Sequence, residues 1–300
     1  MARGRKGEKH SGWVVLDKPL GISSTQALGK VRALLQAQKA GHGGTLDPLA
    51  SGILPLAFGE ATKLIPYVMD GAKEYHFTVH WGVATATEDA EGAVTATSAT
   101  RPTEAAIGAE LPAFIGTISQ LPPAYSALKI DGERAYDLAR AGEPVVLAPR
   151  QVQITDLQYV SSPDADHAAF VVACGKGTYV RALARDLALA LGTVGHVSAL
   201  RRSRVGPFNL SKAISLEKLT ELAHKGEALT ALQPLTLALD DIPARVVDQQ
   251  EAQRLRHGQT ILATPSEASL HTMLAIEAGQ PVAMIAYQDG VWRPVRGFNL

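Results

Sequence analysis

The twelve residues Gly41-His42-Gly43-Gly44-Thr45-Leu46-Asp47-Pro48-Leu49-Ala50-Ser51-Gly52 hold four glycines and one proline, so no regular helix can run through them. Glycines at 43 and 44 open backbone angles closed to other residues and let a ligand come close, while Pro48 biases Asp47 away from the helical region. Asp47 is the sole acid of the run. Any fold built on this chain must therefore accommodate a rigid, irregular loop with one carboxylate in it.

Several uses of such a loop are excluded. Gly-Lys-Ser/Thr is missing at the offset of a phosphate-binding Walker loop, and there is no Gly-x-Gly-x-x-Gly between a strand and a helix. No second carboxylate lies near enough in sequence to suggest a metal cluster. Two readings stay open: an aspartate working alone, as in covalent catalysis, or one that caps a turn or a following helix.

With 300 residues and 46% hydrophobic content, the chain can bury a large core as one domain or two unequal ones. Its single cysteine, Cys174, excludes an internal disulfide and a multi-cysteine metal cluster. The start, residues 1 to 10, is basic without an apolar run to follow it, and no segment reaches membrane-spanning length, so a soluble cytoplasmic protein without membrane partners is expected. Net charge is zero but unevenly spread. Residues 1 to 40 carry eight basic side chains against two acidic, and residues 176 to 212 carry seven against one. Runs of this kind are solvated faces or contacts for phosphate.

Local patterns place these segments on elements. Ser23 or Ser24 can cap a helix with Ala27, Leu28, Val31, Leu34 and Leu35 on one face. Residues 74 to 81 alternate, with Tyr75, Phe77, Val79 and Trp81 on one side, as a half-buried strand does. A strand over 168 to 174 leads through Gly175-Lys176-Gly177-Thr178 into a helix with Val180, Leu183, Leu187 and Leu191 inward, and puts Tyr179 and Arg181 in its first turn. The Ala/Thr-rich stretch 84 to 100 reads as a hairpin tip and an exposed connection, with a turn at Asp89-Ala90-Glu91-Gly92. Residues 120 to 150 read as an inserted loop and helix. A composition shift at 240 to 243 marks a boundary, after which Pro281 to Tyr287, Asp289-Gly290 and Trp292 form a hairpin of a small second domain.

The loop around Asp47 resembles the catalytic motif of the TruB family of tRNA pseudouridine synthases. The resemblance continues in Leu16-Asp17-Lys18-Pro19-Leu20-Gly21-Ile22-Ser23-Ser24, Lys73-Glu74-Tyr75, Gln120 to Lys129, Lys176-Gly177-Thr178-Tyr179-Val180-Arg181 and Gly195 to Arg202, in family order. It implies an α+β pseudouridine synthase fold, with a mixed, mainly antiparallel central sheet flanked by helices and a small β-rich PUA-like C-terminal domain. It also implies a flexible basic N-terminus over 1–10, a catalytic domain over 11–239 with a mobile thumb at about 120–150, and an RNA-binding module over 240–300. The implied reaction isomerises uridine 55 in the T-loop of tRNA, with no cofactor or metal, by flipping the base out of its stack into a pocket. The T-stem-loop is then the partner, and a monomer is expected.

By the same resemblance Asp47 is the nucleophile and Arg181 its ion-pair partner, while Tyr75 stacks on the flipped uracil and takes part in proton transfer. Tyr179 and Leu200 line the uracil pocket, His42 enters the space that the base vacates, and Lys18 supports the loop or nearby RNA. Family members carry a bulkier residue near Gly43, so a more flexible loop is expected here. Taken alone, each residue has a plainer role: Tyr75 and Leu200 as core, His42 bonded within its loop, Tyr179 as an aromatic at a helix start, Arg181 with Arg185 as an exposed helical pair. A non-catalytic chaperone that folds tRNA would use the same basic cleft, but it needs no buried carboxylate.

Overall fold

Residues 7–126, 128–130, 132–143, 145–239, 242–264 and 270–300 are described by the computed structural model. Most of the basic N-terminal decapeptide, and Asp240 and Asp241 at the expected boundary, lie outside them.

A ten-stranded mixed sheet forms the body. Its main path runs Ile214–Ser215, Gly12–Lys18, Ala50–Phe58, Gly195–Val205, Lys73–Trp81, His167–Cys174, Arg150–Asp164, Gly116–Gln120. Within this path two pairings are parallel, Gly12–Lys18 with Ile214–Ser215 and Ala50–Phe58 with Gly195–Val205; the others are antiparallel. The strand Gly195–Val205 thus sits at the centre, setting Leu200 beside Ala50 on one side and Phe77 on the other. The alternation read over 74 to 81 holds: Phe77, Val79 and Trp81 are buried and His76 is exposed, as a pleat with one covered face requires.

Two helices aim the loops. Ser24–Leu34 begins at Ser23, whose hydroxyl accepts from the Gln26 amide while the Gln26 side chain accepts from the Ser23 amide; this capping box fixes where the chain turns into the helix. Its buried side chains include Ala27 and Val31. Val180–Ala190 starts at Tyr179 and buries Leu183, Ala184, Leu187 and Ala188 against the sheet with Phe77, Val79, Phe170 and Val172. That apolar face fixes the helix's rotation, and with it the direction of Arg181.

The stretch after Trp81 does make a hairpin, Val83–Thr85 with Val94–Thr97, but it is no exposed connection throughout: Thr85 and Asp89 are buried, and Val197 donates its amide to the Glu88 carbonyl. The insertion contains a short pair, Lys129–Ile130 with Glu133–Arg134, and the helix Ala135–Arg140; Ala127, Asp131 and Pro144 of the expected thumb lie outside the described residues.

The C-terminal part is a five-stranded sheet with the helix Gln249–Arg256 packed on it. Asp289 and Gly290 both take positive φ, as the tight turn between Gln280–Gln288 and Val291–Gly297 demands. Leu274, Met284 and Phe298 share a core with Trp13, Val15 and Ile53, so this sheet is docked on the body through apolar contact. No helix among the described residues is long and apolar enough to cross a membrane.

Candidate active site

The Asp47 loop is fastened at several points before any ligand arrives. Ser24, buried at the start of its helix, receives the Leu46 amide at 2.7 Å and donates its hydroxyl to the Leu46 carbonyl at 3.0 Å. Gly21 donates its amide to Pro48, and Ala50 to Asp47 itself. Arg202, 1% exposed, lies beneath and donates to the carbonyls of Ile53, Gly44 and Thr45. Gly52 lies against its backbone: a Cβ there would stand 2.1 Å from the Arg202 carbonyl oxygen. Gly43 donates to the Pro55 carbonyl and packs on Val68, where a Cβ would fall 2.7 Å from Cγ1. The small residue at 43 thus serves close packing and leaves the loop tied, contrary to the flexibility expected of it.

From this loop Asp47 meets Arg181, with Nε 3.0 Å from Oδ2. The two side chains are unequal: that of Arg181 is 6% exposed and that of Asp47 40%, so a buried cation holds a carboxylate that is open to the cleft. Arg181 is itself held. Nη1 donates to the Thr87 carbonyl at 2.7 Å and lies 3.7 Å from Asp89 Oδ2, while Nη2 donates to the Tyr125 carbonyl at 2.9 Å. Arg181 and Arg185 are therefore not an exposed helical pair.

Asp47, Tyr75, Tyr179, Arg181 and Leu200 together line a cleft of about 680 Å³, a volume suited to a small planar ligand with room to spare. Burial pushes the Tyr75 and Tyr179 phenols above their usual range, which keeps both rings neutral. Tyr179 is gripped by the fully buried Gln120, whose carbonyl accepts its amide and whose amide donates to its carbonyl. Lys73, Arg150 and Lys176 add positive charge to the same walls.

Two expected residues stand outside this lining. Lys18 is fully buried and donates Nζ to the carbonyls of Pro19 and Ile22, at 2.9 and 2.7 Å. Burial lowers its pKa to about 8, with nearby Asp47 opposing and Arg202 adding to the shift. His42 ends the short strand Ala40–His42; its Nδ1 is buried without a hydrogen-bond partner, and burial, then Arg202, hold the ring below the usual histidine range.

The sequence reading missed the braces: Ser24, Gln120, Asp89 and the structural use of Arg202. The charge of residues 176 to 212, which the sequence leaves as a solvated face or a contact for phosphate, is in large part taken up within the protein: Arg181, Arg185, Arg201 and Arg202 are engaged by protein carboxylates or carbonyls. Chemically, the arrangement offers one fixed carboxylate, an aromatic ring and an apolar wall around a cavity rimmed with cations. That set can seat a flat polar ring and attack it or its sugar.

Comparison with known proteins gives a consistent result. Residues 32–180 match the family model described as TruB family pseudouridylate synthase (N terminal domain), and residues 181–242 match that of the tRNA pseudouridylate synthase B C-terminal domain. A tRNA pseudouridine synthase B of Caulobacter vibrioides is 50% identical, over all of both chains. One of Bradyrhizobium diazoefficiens is 54% identical over 96% of this chain and 86% of its own. Among solved structures, a chain of a Cbf5-Nop10-Gar1 complex superposes with a TM-score of 0.74 at 24% identity, covering 95% of this chain and 84% of that one, which is a likeness of fold.

Proposed function

As the chain belongs to the TruB family of tRNA pseudouridine synthases, and so isomerises uridine in tRNA, we propose that its target is position 55 of the T-loop and that Asp47 is its single nucleophile. The observation that carries this reading is the 3.0 Å pair of buried Arg181 with half-open Asp47 in a cleft walled by Tyr75, Tyr179 and Leu200.

The uridine leaves its stack and enters the cleft, where Tyr75 replaces its stacking partner and Tyr179 and Leu200 bound the ring. Asp47 attacks and forms a covalent adduct with the base or the ribose, and the bond between N1 and C1′ breaks; the base turns, C5 bonds to C1′, the bond to Asp47 breaks to free its carboxylate, N1 takes up a proton, and the C5 proton is lost to water by way of a group near Tyr75. Arg181 pairs with the carboxylate and aims it. His42 enters the place that the base leaves in the RNA, and Lys18 supports the Asp47 loop from below. The segment at about 120–150 acts as a thumb on the T-stem-loop, residues 240–300 as a PUA-like RNA-binding module, and the enzyme works as a cytoplasmic monomer.

The test is tritium release from a tRNA transcript labelled at uridine C5, with Asp47→Asn as comparison at equal RNA binding. Release by the native protein alone, lost when U55 is replaced by cytidine, is expected. Tight binding with no release by either would overturn the enzymatic reading in favour of a folding chaperone.

A further inference from the structure

Arg181 and Arg185 stand one turn apart on the helix Val180–Ala190, and each guanidinium divides its two terminal nitrogens between the same two segments. Arg181 reaches the Thr87 carbonyl and the Tyr125 carbonyl. Arg185 reaches Glu88 Oε1 at 2.5 Å and the Leu121 carbonyl at 2.8 Å. Only the Nε atoms part company: that of Arg181 faces Asp47, that of Arg185 faces Asp186.

Glu88 is unusual at this place. Its φ is +60° in a residue with a side chain, its carboxylate is 15% exposed, and Oε2 is buried without a hydrogen-bond partner. A carboxylate so placed costs free energy unless it is held by a cation, and a left-handed non-glycine backbone adds strain. Its main chain is fixed on both sides, the amide donating to the Thr85 carbonyl and the carbonyl accepting from the amide of Val197, which lies three residues before Leu200 on the same strand. Thr87 and Asp89, its chain neighbours, are the two that hold Nη1 of Arg181.

Resting on the reading above, we propose that Glu88 and Arg185 are positioning residues for Arg181: a second rung that keeps the Thr87–Asp89 turn and the first residues of the 120–150 insertion in register, so that Nε of Arg181 presents to Asp47. Neither touches the cleft, so both act through Arg181. The groups that face Glu88 are Arg185, Arg181 and Asp186; burial raises its pKa and the two arginines draw it back. Proton uptake by Glu88 therefore loosens the rung.

The experiment compares native protein, Glu88→Gln, Arg185→Gln and Arg185→Lys by single-turnover tritium release at saturating tRNA transcript, with filter binding for Kd, thermal melting, and the Arg181 Nε–H resonance by NMR. Loss of about 10- to 100-fold in rate is expected for both Gln variants, with Kd within about twofold, because small misplacement of an aligned group is costly to rate. Arg185→Lys should fall between, since one ammonium cannot fork to Glu88 and Leu121. In an Arg181→Lys background the Gln substitutions should cost little more, as residues acting in one chain are non-additive. The Arg181 Nε–H signal should move in the isosteric Glu88→Gln even where folding is intact. Native-like rates, an unmoved Arg181 signal, or losses that follow melting temperature and add fully to Arg181→Lys would overturn the proposal. A native protein that releases no tritium would overturn the isomerase reading and this one with it, whereas active native protein with indifferent variants would overturn this one alone.

Discussion

The Nε atom of Arg181 lies 3.0 Å from Oδ2 of Asp47, while its remaining nitrogens are committed to the carbonyls of Thr87 and Tyr125. The guanidinium cannot swing away from the carboxylate without breaking two further hydrogen bonds. It is therefore preorganised, and the pair needs little rearrangement when substrate arrives.

Arg181→Lys is expected to lower single-turnover rate by about 100-fold or more with little change in Kd, because a point ammonium cannot serve three partners at once. Tritium release set against filter binding checks this. A Kd that worsens as much as the rate would assign the side chain to RNA binding instead.

Gly52→Ala is expected to destabilise the fold by about 2–4 kcal/mol, since the new Cβ meets main chain rather than a side chain that can turn aside. The clash is with the Arg202 carbonyl at 2.1 Å, at φ +100°. Denaturant unfolding measures it, and a cost near zero would mean that the strands shift apart freely.

Ser24→Ala removes both hydrogen bonds to Leu46 in a buried place. Unfolding should show a loss of about 1–3 kcal/mol from the unsatisfied backbone groups. Release of tritium should slow as well, because the loop adjoining Asp47 loses its tie to the helix; an unchanged rate would show that Arg202 suffices.

Two buried lysines give the stability a predictable response to alkali. Lys18 and Lys73 both have pKa values lowered by burial to about 8, against an ordinary value of 10.5. Between those limits the unfolded chain binds protons that the native chain does not, so their contribution makes unfolding free energy rise with pH from about 8. Above pH 10 the sign turns: Tyr75 and Tyr179, raised by burial, stay protonated in the native state while the unfolded phenols ionise. Urea titrations from pH 7.5 to 10 on native protein and Lys73→Met, about half a pH unit apart, should give a steeper rise in the former. Equal slopes would remove Lys73 from the account.

Lys176 lines the cleft and pairs with Asp70 at 2.9 Å, both side chains well exposed, a contact worth little in water. If it meets phosphate, Lys176→Gln should reduce the slope of log K against log salt for tRNA by about 0.7–0.9 and leave the rate at saturating RNA alone. Filter binding across a salt series decides it.

What could be read from the sequence was what repeats locally. The alternation over Tyr75 to Trp81, the cap at Ser23 and the turn at Asp289-Gly290 each follow from neighbours within a few positions, and all three stand in the fold. The loop around Asp47 was legible as a loop. Its braces were not, because Ser24 reaches it across 22 positions and Arg202 across nearly 160, and a buried arginine satisfied by carbonyls leaves no pattern in side chains. Asp89 read as a turn former because it is one: Oδ1 accepts the Thr87 hydroxyl and the Glu91 amide, while Oδ2 faces an arginine that only tertiary structure brings near. Lys18, expected to support the loop or nearby RNA, donates its Nζ to the carbonyls of Pro19 and Ile22, and Nδ1 of His42 is buried, contacts that no local pattern announces.

The position of Gly195–Val205 between Ala50–Phe58 and Lys73–Trp81 has a consequence for biosynthesis. The two outer strands leave the ribosome long before the one that must fill the gap between them, and non-local pairing of this kind closes slowly. A nascent chain that ends before residue 195 carries the aspartate loop, but it lacks Arg202 beneath that loop and Leu200 on the wall. Translation order alone thus keeps the Asp47 carboxylate without a finished pocket until about two thirds of the polypeptide has been made.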